Sequence, residues 1–106
     1  MIFKSSDVSP VPAFGSARRK TLAVGESMMV VEFDFPPAGE VPVHSHPYEE
    51  VGYLVSGALK VRIGSHEEVL GPGDSWFIPT GTEHNMSTED GAVFVAVFSP
   101  PRKDYR

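Results

Sequence analysis

The chain has 106 residues, 41% hydrophobic and 22% charged, with a formal net charge of -5 and no cysteine. That length supports one core rather than two, and the composition is that of an ordinary globular chain. The acidic balance argues against a nucleic-acid partner, no apolar run approaches the roughly 20 residues needed to span a bilayer, and neither a disulfide nor a thiolate ligand is available.

Ten glycines and ten prolines punctuate the chain, and helical periodicity is nearly absent. Short β-branched and aromatic runs between such breaks predict an all-β barrel or sandwich. Met1 to Phe14 is mixed in character and reads as an extended arm. The predicted strands are Lys20 to Val24, Met28 to Phe35, Val41 to His46, Glu50 to Ser56, Ala58 to Ile63, Glu67 to Leu70, Ser75 to Ile78, His84 to Ser87 and Ala92 to Phe98. The N-terminus carries no signal-peptide pattern, so a cytoplasmic setting is expected.

Alternation assigns faces. Met29, Val31, Phe33 and Phe35 share one side of their strand, as do Leu59, Val61 and Ile63, so these two strands are expected to be half-buried. Val51-Gly-Tyr-Leu-Val and Val93 to Phe98 are apolar on both sides. One side can fill a barrel and the other needs a cover, so a homodimer is predicted, with Tyr53 in the core or at that contact. Among the basic residues, Arg18-Arg19-Lys20 is the one cluster; it reads as a solvated strand flank, or as a source of a side chain for an anionic ligand.

The chemistry concentrates in Gly39-Glu-Val-Pro-Val-His44-Ser-His46-Pro-Tyr-Glu-Glu50. On a strand, His44 and His46 leave the same face. A third imidazole, His84, follows the frame Gly73-x5-Pro79-x-Gly81-x2-His84. Imidazoles and a carboxylate converging from separate strands make a ligand set for a divalent transition metal: Ni, Zn, Fe, Mn, Co or Cu. The fourth histidine, His66, sits in Gly64-Ser-His-Glu-Glu68, where a hairpin turn is expected, and reads as solvated.

These frames resemble the two motifs of the cupin superfamily. The first appears as Gly39-x4-His44-Ser-His46-x3-Glu50-x6-Gly57, one residue short before the first histidine. The second appears as Gly73-x5-Pro79-x-Gly81-x2-His84-x3-Thr88, with Thr for the usual terminal Asn. The resemblance implies a double-stranded β-helix, or jelly-roll barrel, with His44, His46, Glu50 and His84 around one metal in its mouth. Alternation agrees with Glu50, because it shares a face with Gly52 and Leu54 while Glu49 points away.

Within that superfamily the chain is most similar to small single-domain cupins of pectin breakdown, the KdgF-type proteins, through Met28-Met29-Val, His-Ser-His-Pro and the ending Val97-Phe98-Ser-Pro-x-Arg102. Such proteins linearise unsaturated monouronates, so the resemblance implies metal-assisted isomerisation of a small sugar acid. Phe98 and Arg102 match the family's tail, which implies an aromatic wall and a carboxylate-binding guanidinium; for Arg102 a solvated terminus is the plainer reading. The tail's acid/base Asp falls on Ala96, which cannot transfer a proton. Glu50 stands where some relatives carry Gln. Two other readings share the ligand set: an Fe(II)-dependent dioxygenase, and a non-catalytic cupin that binds a small anionic sugar acid or keto acid.

Overall fold

The computed structural model describes residues 1–106 as two antiparallel sheets closed around one apolar core. Ten strands form: β1 (Val11–Pro12), β2 (Arg18–Val24), β3 (Met29–Phe35), β4 (Glu40–His44), β5 (Glu49–Gly57), β6 (Leu59–Ile63), β7 (His66–Leu70), β8 (Ser75–Ile78), β9 (His84–Ser87) and β10 (Ala92–Ser99). One sheet has the order β1-β2-β3-β10-β5-β8 and the other β4-β9-β6-β7. All nine predicted strands are present within a residue or two of their expected ends. The all-β jelly-roll expectation is met.

The predicted faces explain the core. Met29, Val31, Phe33 and Phe35 are buried, and so are Leu59 and Val61. Across β3, β10, β5 and β8 the register aligns Val31, Ala96, Gly52 and Trp76 in one row, and Met29, Phe98, Glu50 and Ile78 in the next. Phe94 stacks on Phe33 at 5.0 Å between centroids and meets Phe35 and Trp76 edge-on. Burying such rings supplies much of a small barrel's stability.

Two glycines are required by close approach. Gly52 lies under the Trp76 indole, so any Cβ there would overlap the ring. Gly57, at φ 83°, closes the turn after β5 against the Gly91 backbone, where a side chain would meet the Gly91 carbonyl. Thr88, in the position of the motif's Asn, braces the facing loop: its hydroxyl donates to the Ala58 carbonyl at 2.7 Å and accepts from the Gly91 N–H at 3.1 Å.

Four local expectations are corrected. His46 is not on a strand, because β4 ends at His44 after a register shift beyond Val41, and Pro47 follows. The β6–β7 turn is Gly64-Ser65, so His66 opens β7; it is exposed, as expected, and lies 3.4 Å from Glu68. Of the two places expected for Tyr53, the core is excluded, because it is half exposed on the outer face of β5 with Val51 and Val55, where a dimer contact would fall. Arg102 is not a frayed terminus: it is 8% exposed.

Candidate metal centre

His44 and His84 face each other across β4 and β9, and their rings are 4.2 Å apart. His46 comes from the loop after β4, with its ring 4.8 Å from that of His84. Glu50 enters from the opposite sheet, on the inner face of β5 beside Phe98 of β10. One possible ligand nitrogen from each of the three imidazoles lies within 4.8 Å of the others, so the group could hold a metal ion. Ligands of one tetrahedral ion about 2.1 Å away lie roughly 3.4 Å apart, a spacing that small rotamer adjustments reach.

Backbone carbonyls decide which nitrogen of each ring is free. Nδ1 of His44, His46 and His84 lies 2.9 Å from the carbonyls of Pro42, Tyr48 and Thr82 respectively. A carbonyl only accepts, so each Nδ1 carries the proton and each neutral ring keeps its lone pair on Nε2. His46 Nε2 then lies 3.2 Å from Glu50 Oε1, and His84 Nε2 4.0 Å from the same oxygen. Acceptors converging in a buried space need a cation or a proton between them. Burial pushes His84 below the usual imidazole value, outweighing the Thr82 carbonyl and Glu50, so a proton there is disfavoured. The donor set therefore fits a divalent metal, with the tautomers fixed as metal-binding histidines require.

Glu50 is held from outside by a residue that the sequence reading missed. Trp76 Nε1 donates to Glu50 Oε2 at 2.9 Å, which leaves Oε1 on the imidazole side. Glu50 and His84 are buried, whereas His44 is half-buried toward the opening. Glu49 is exposed, as alternation predicts.

The centre opens into a small, mainly apolar cleft lined among others by His44, Glu50, His84, Phe98, Arg102 and Tyr105. Phe98 meets His46 edge-on at 5.7 Å. The Arg102 guanidinium lies 4.9 Å above Phe98, 5.1 Å from Tyr48 and 3.8 Å from Tyr105. Phe14, also unforeseen, reaches the cavity from the N-terminal segment and lies 5.7 Å from His44. Ala96 is fully buried on the inner face of β10. Of the basic cluster, none lines this cavity; Arg19 stands behind Tyr105, with its Cζ 4.3 Å from that ring.

A cupin-domain family profile matches residues 31–98. The chain belongs to the cupin family. This cupin is 26% identical over 102 residues to the pectin degradation protein KdgF of Dickeya dadantii, covering 93% of each chain. The structure of KdgF from a Halomonas species superposes with a TM-score of 0.93 at 26% identity, covering 100% of this cupin and 98% of that chain. An RmlC-like cupin from Shewanella frigidimarina superposes with a TM-score of 0.94 at 28% identity, covering 99% and 95%. The resemblance to KdgF-type cupins thus extends over the whole fold. No helix is long and apolar enough to cross a membrane.

Proposed function

We propose that this cupin holds one divalent transition metal on His44, His46, Glu50 and His84 and isomerises a small unsaturated sugar acid to its open-chain keto form. The observation that carries the reading is the meeting of three imidazoles with a carboxylate at one end of a cavity whose wall includes a buried guanidinium. A bound divalent ion would polarise a substrate hydroxyl or carbonyl oxygen and lower the cost of removing its proton. Arg102 would fix the substrate carboxylate, and arginine suits that geometry through paired N–H donors. Phe98 would form the apolar wall beside His46 and limit water at the reacting face. Ring opening removes the anomeric hydroxyl proton, so that its oxygen forms a carbonyl as the bond from that carbon to the ring oxygen breaks; the released enolate then takes the proton back at its alkene carbon, so substrate and product are isomers.

Ala96 supports a second reading. No carboxyl stands on the inner face of β10 between Phe94 and Phe98, and a positioned acid typically contributes about 10²–10⁴-fold to rate. A non-catalytic cupin that binds the same acid through its metal and Arg102 needs no such group. Incubating metal-loaded protein with an unsaturated monouronate and following loss of its conjugated alkene absorbance separates the two. Steady loss supports isomerisation; saturable binding with no loss supports the binding protein.

A homodimer in the cytoplasm completes the reading. Val51, Tyr53, Val55 and Phe77 are 46–53% exposed on the outer face of the larger sheet, beside the half-buried Val93, Val95 and Val97. Two chains of charge -5 repel over most of their surface, so the apolar patch that β5, β8 and β10 share is where a second copy fits best.

A further inference from the structure

Arg19 is a cation that the metal centre does not use, yet it takes part in a dense set of contacts at the chain's end. From β2 it donates through Nη1 to the Tyr105 carbonyl and through Nη2 to the Asp104 carbonyl, both at 3.4 Å, and through Nη1 to Thr21 Oγ1 at 3.3 Å. The Thr21 hydroxyl also donates to the Tyr105 carbonyl. The same Tyr105 ring receives two guanidiniums, with Cζ of Arg19 at 4.3 Å and Cζ of Arg102 at 3.8 Å. Beneath it, Tyr105 meets Phe33 at 6.0 Å and Phe98 at 5.7 Å, so the ring is anchored on the barrel's inner wall.

Arg102 is then confined on several sides. Its Nε and Nη2 donate to Asp104 Oδ1 and Oδ2 at 3.2 and 2.8 Å, and its backbone N–H points at the Met29 sulfur at 3.0 Å. The Asp104 fork occupies one edge of the guanidinium and leaves Nη1 unengaged on a residue that lines the cavity. A long side chain held this way gives up less freedom when a ligand arrives.

We propose that Arg19 is a positioning residue for carboxylate recognition: through the Tyr105 ring and the carbonyls of Asp104 and Tyr105 it holds the C-terminal segment so that Arg102 presents its free edge to the cavity. The inference rests on the reading of Arg102 as the carboxylate-binding group. It differs from a through-space charge effect, because Arg19 stands behind the aromatic ring and does not line the cavity. A planar fork that both stacks and bridges two carbonyls cannot be replaced by an ammonium.

The test is calorimetric binding of D-galacturonate, with D-galactose as the neutral comparison, to the metal-loaded full chain and to Arg19→Ala, Arg19→Lys and Arg102→Ala, with metal content and hydrogen exchange of residues 102–105 measured on each. Arg19→Ala and Arg19→Lys are expected to weaken galacturonate binding by about tenfold, leave galactose and metal content unchanged, and speed exchange in the tail. Wild-type affinity in Arg19→Lys, or in Arg19→Ala, overturns the inference. If Arg102→Ala weakens binding while both Arg19 variants do not, the inference alone falls. If Arg102→Ala binds galacturonate as the wild type does, or the wild type itself binds none, the underlying uronate reading falls with it.

Discussion

The Trp76 indole N–H donates to Glu50 Oε2 at 2.9 Å, across the β5–β8 pair, while Glu50 Oε1 lies 3.2 Å from His46 Nε2. The indole thereby selects which carboxylate oxygen faces the imidazoles. Removing an outer partner of this kind typically costs 10–100-fold in metal affinity. Trp76→Phe keeps most of the ring volume and deletes the donor. Its metal affinity, measured by competition with a chelator, is expected to fall within that range. Unchanged affinity would show that the hydrogen bond does not orient the ligand.

The space that Trp76 occupies depends on Gly52, where an added methyl overlaps the indole. Overpacking of this sort typically costs about 1–3 kcal/mol. Gly52→Ala is expected to lower the melting temperature by roughly 5 °C or more, and to weaken metal binding as Trp76 is displaced from Glu50. A thermal scan of the apo and metal-loaded forms checks both effects.

At the cavity's rim, the hydrogen bond from Arg102 holds the Asp104 carboxyl below its ordinary value of 3.8, helped by the charges of Arg102 and Arg19. A depressed carboxyl stabilises the folded segment at pH values above the unfolded value, and that contribution is lost as the pH falls through the folded value. The tail over residues 102–105 should therefore loosen below about pH 4 and not at neutral pH. An NMR titration of the Asp104 carboxyl is expected to give a midpoint under 3.8 in the wild type, returning to the ordinary range in Arg102→Ala. Equal midpoints would remove the pair from the account.

The outer face of the larger sheet supplies a prediction about assembly. With Phe77 and Val51 opposite one another in register and both exposed, Phe77→Asp places a charge on the apolar patch at its β8 edge. Light scattering is expected to give twice the chain mass for the wild type and one chain mass for the variant, with the melting behaviour of each barrel retained. A wild type of one chain mass contradicts the dimer.

Local alternation made much of this molecule legible. Met29 to Phe35 and Leu59 to Val61 betray their buried faces because one side meets the core and the other water. The motif spacing likewise anticipated that His44, His84 and Glu50 would meet. What local pattern could not reveal was register. Trp76 reaches Glu50 from 26 residues away, and only the pairing of β8 with β5 places it there. The burial of Arg102 was equally hidden, because its guanidinium packs on Tyr105, whose carbonyl is met by Arg19 and Thr21 from more than 80 residues upstream. His46 left its strand because the chain shifts register before His44 and meets Pro47, yet its imidazole still reaches the centre.

Nε2 of His44, His46 and His84, with Glu50 Oε1, are proposed to hold one cation. Anomalous scattering from a crystal grown without added metal tests this directly, alongside metal content of His46→Ala. The expected result is a single anomalous peak about 2.0–2.2 Å from those four atoms, and a folded His46→Ala barrel that has lost most of its metal. A peak bound elsewhere, no peak at all, or full metal retention by His46→Ala would contradict it.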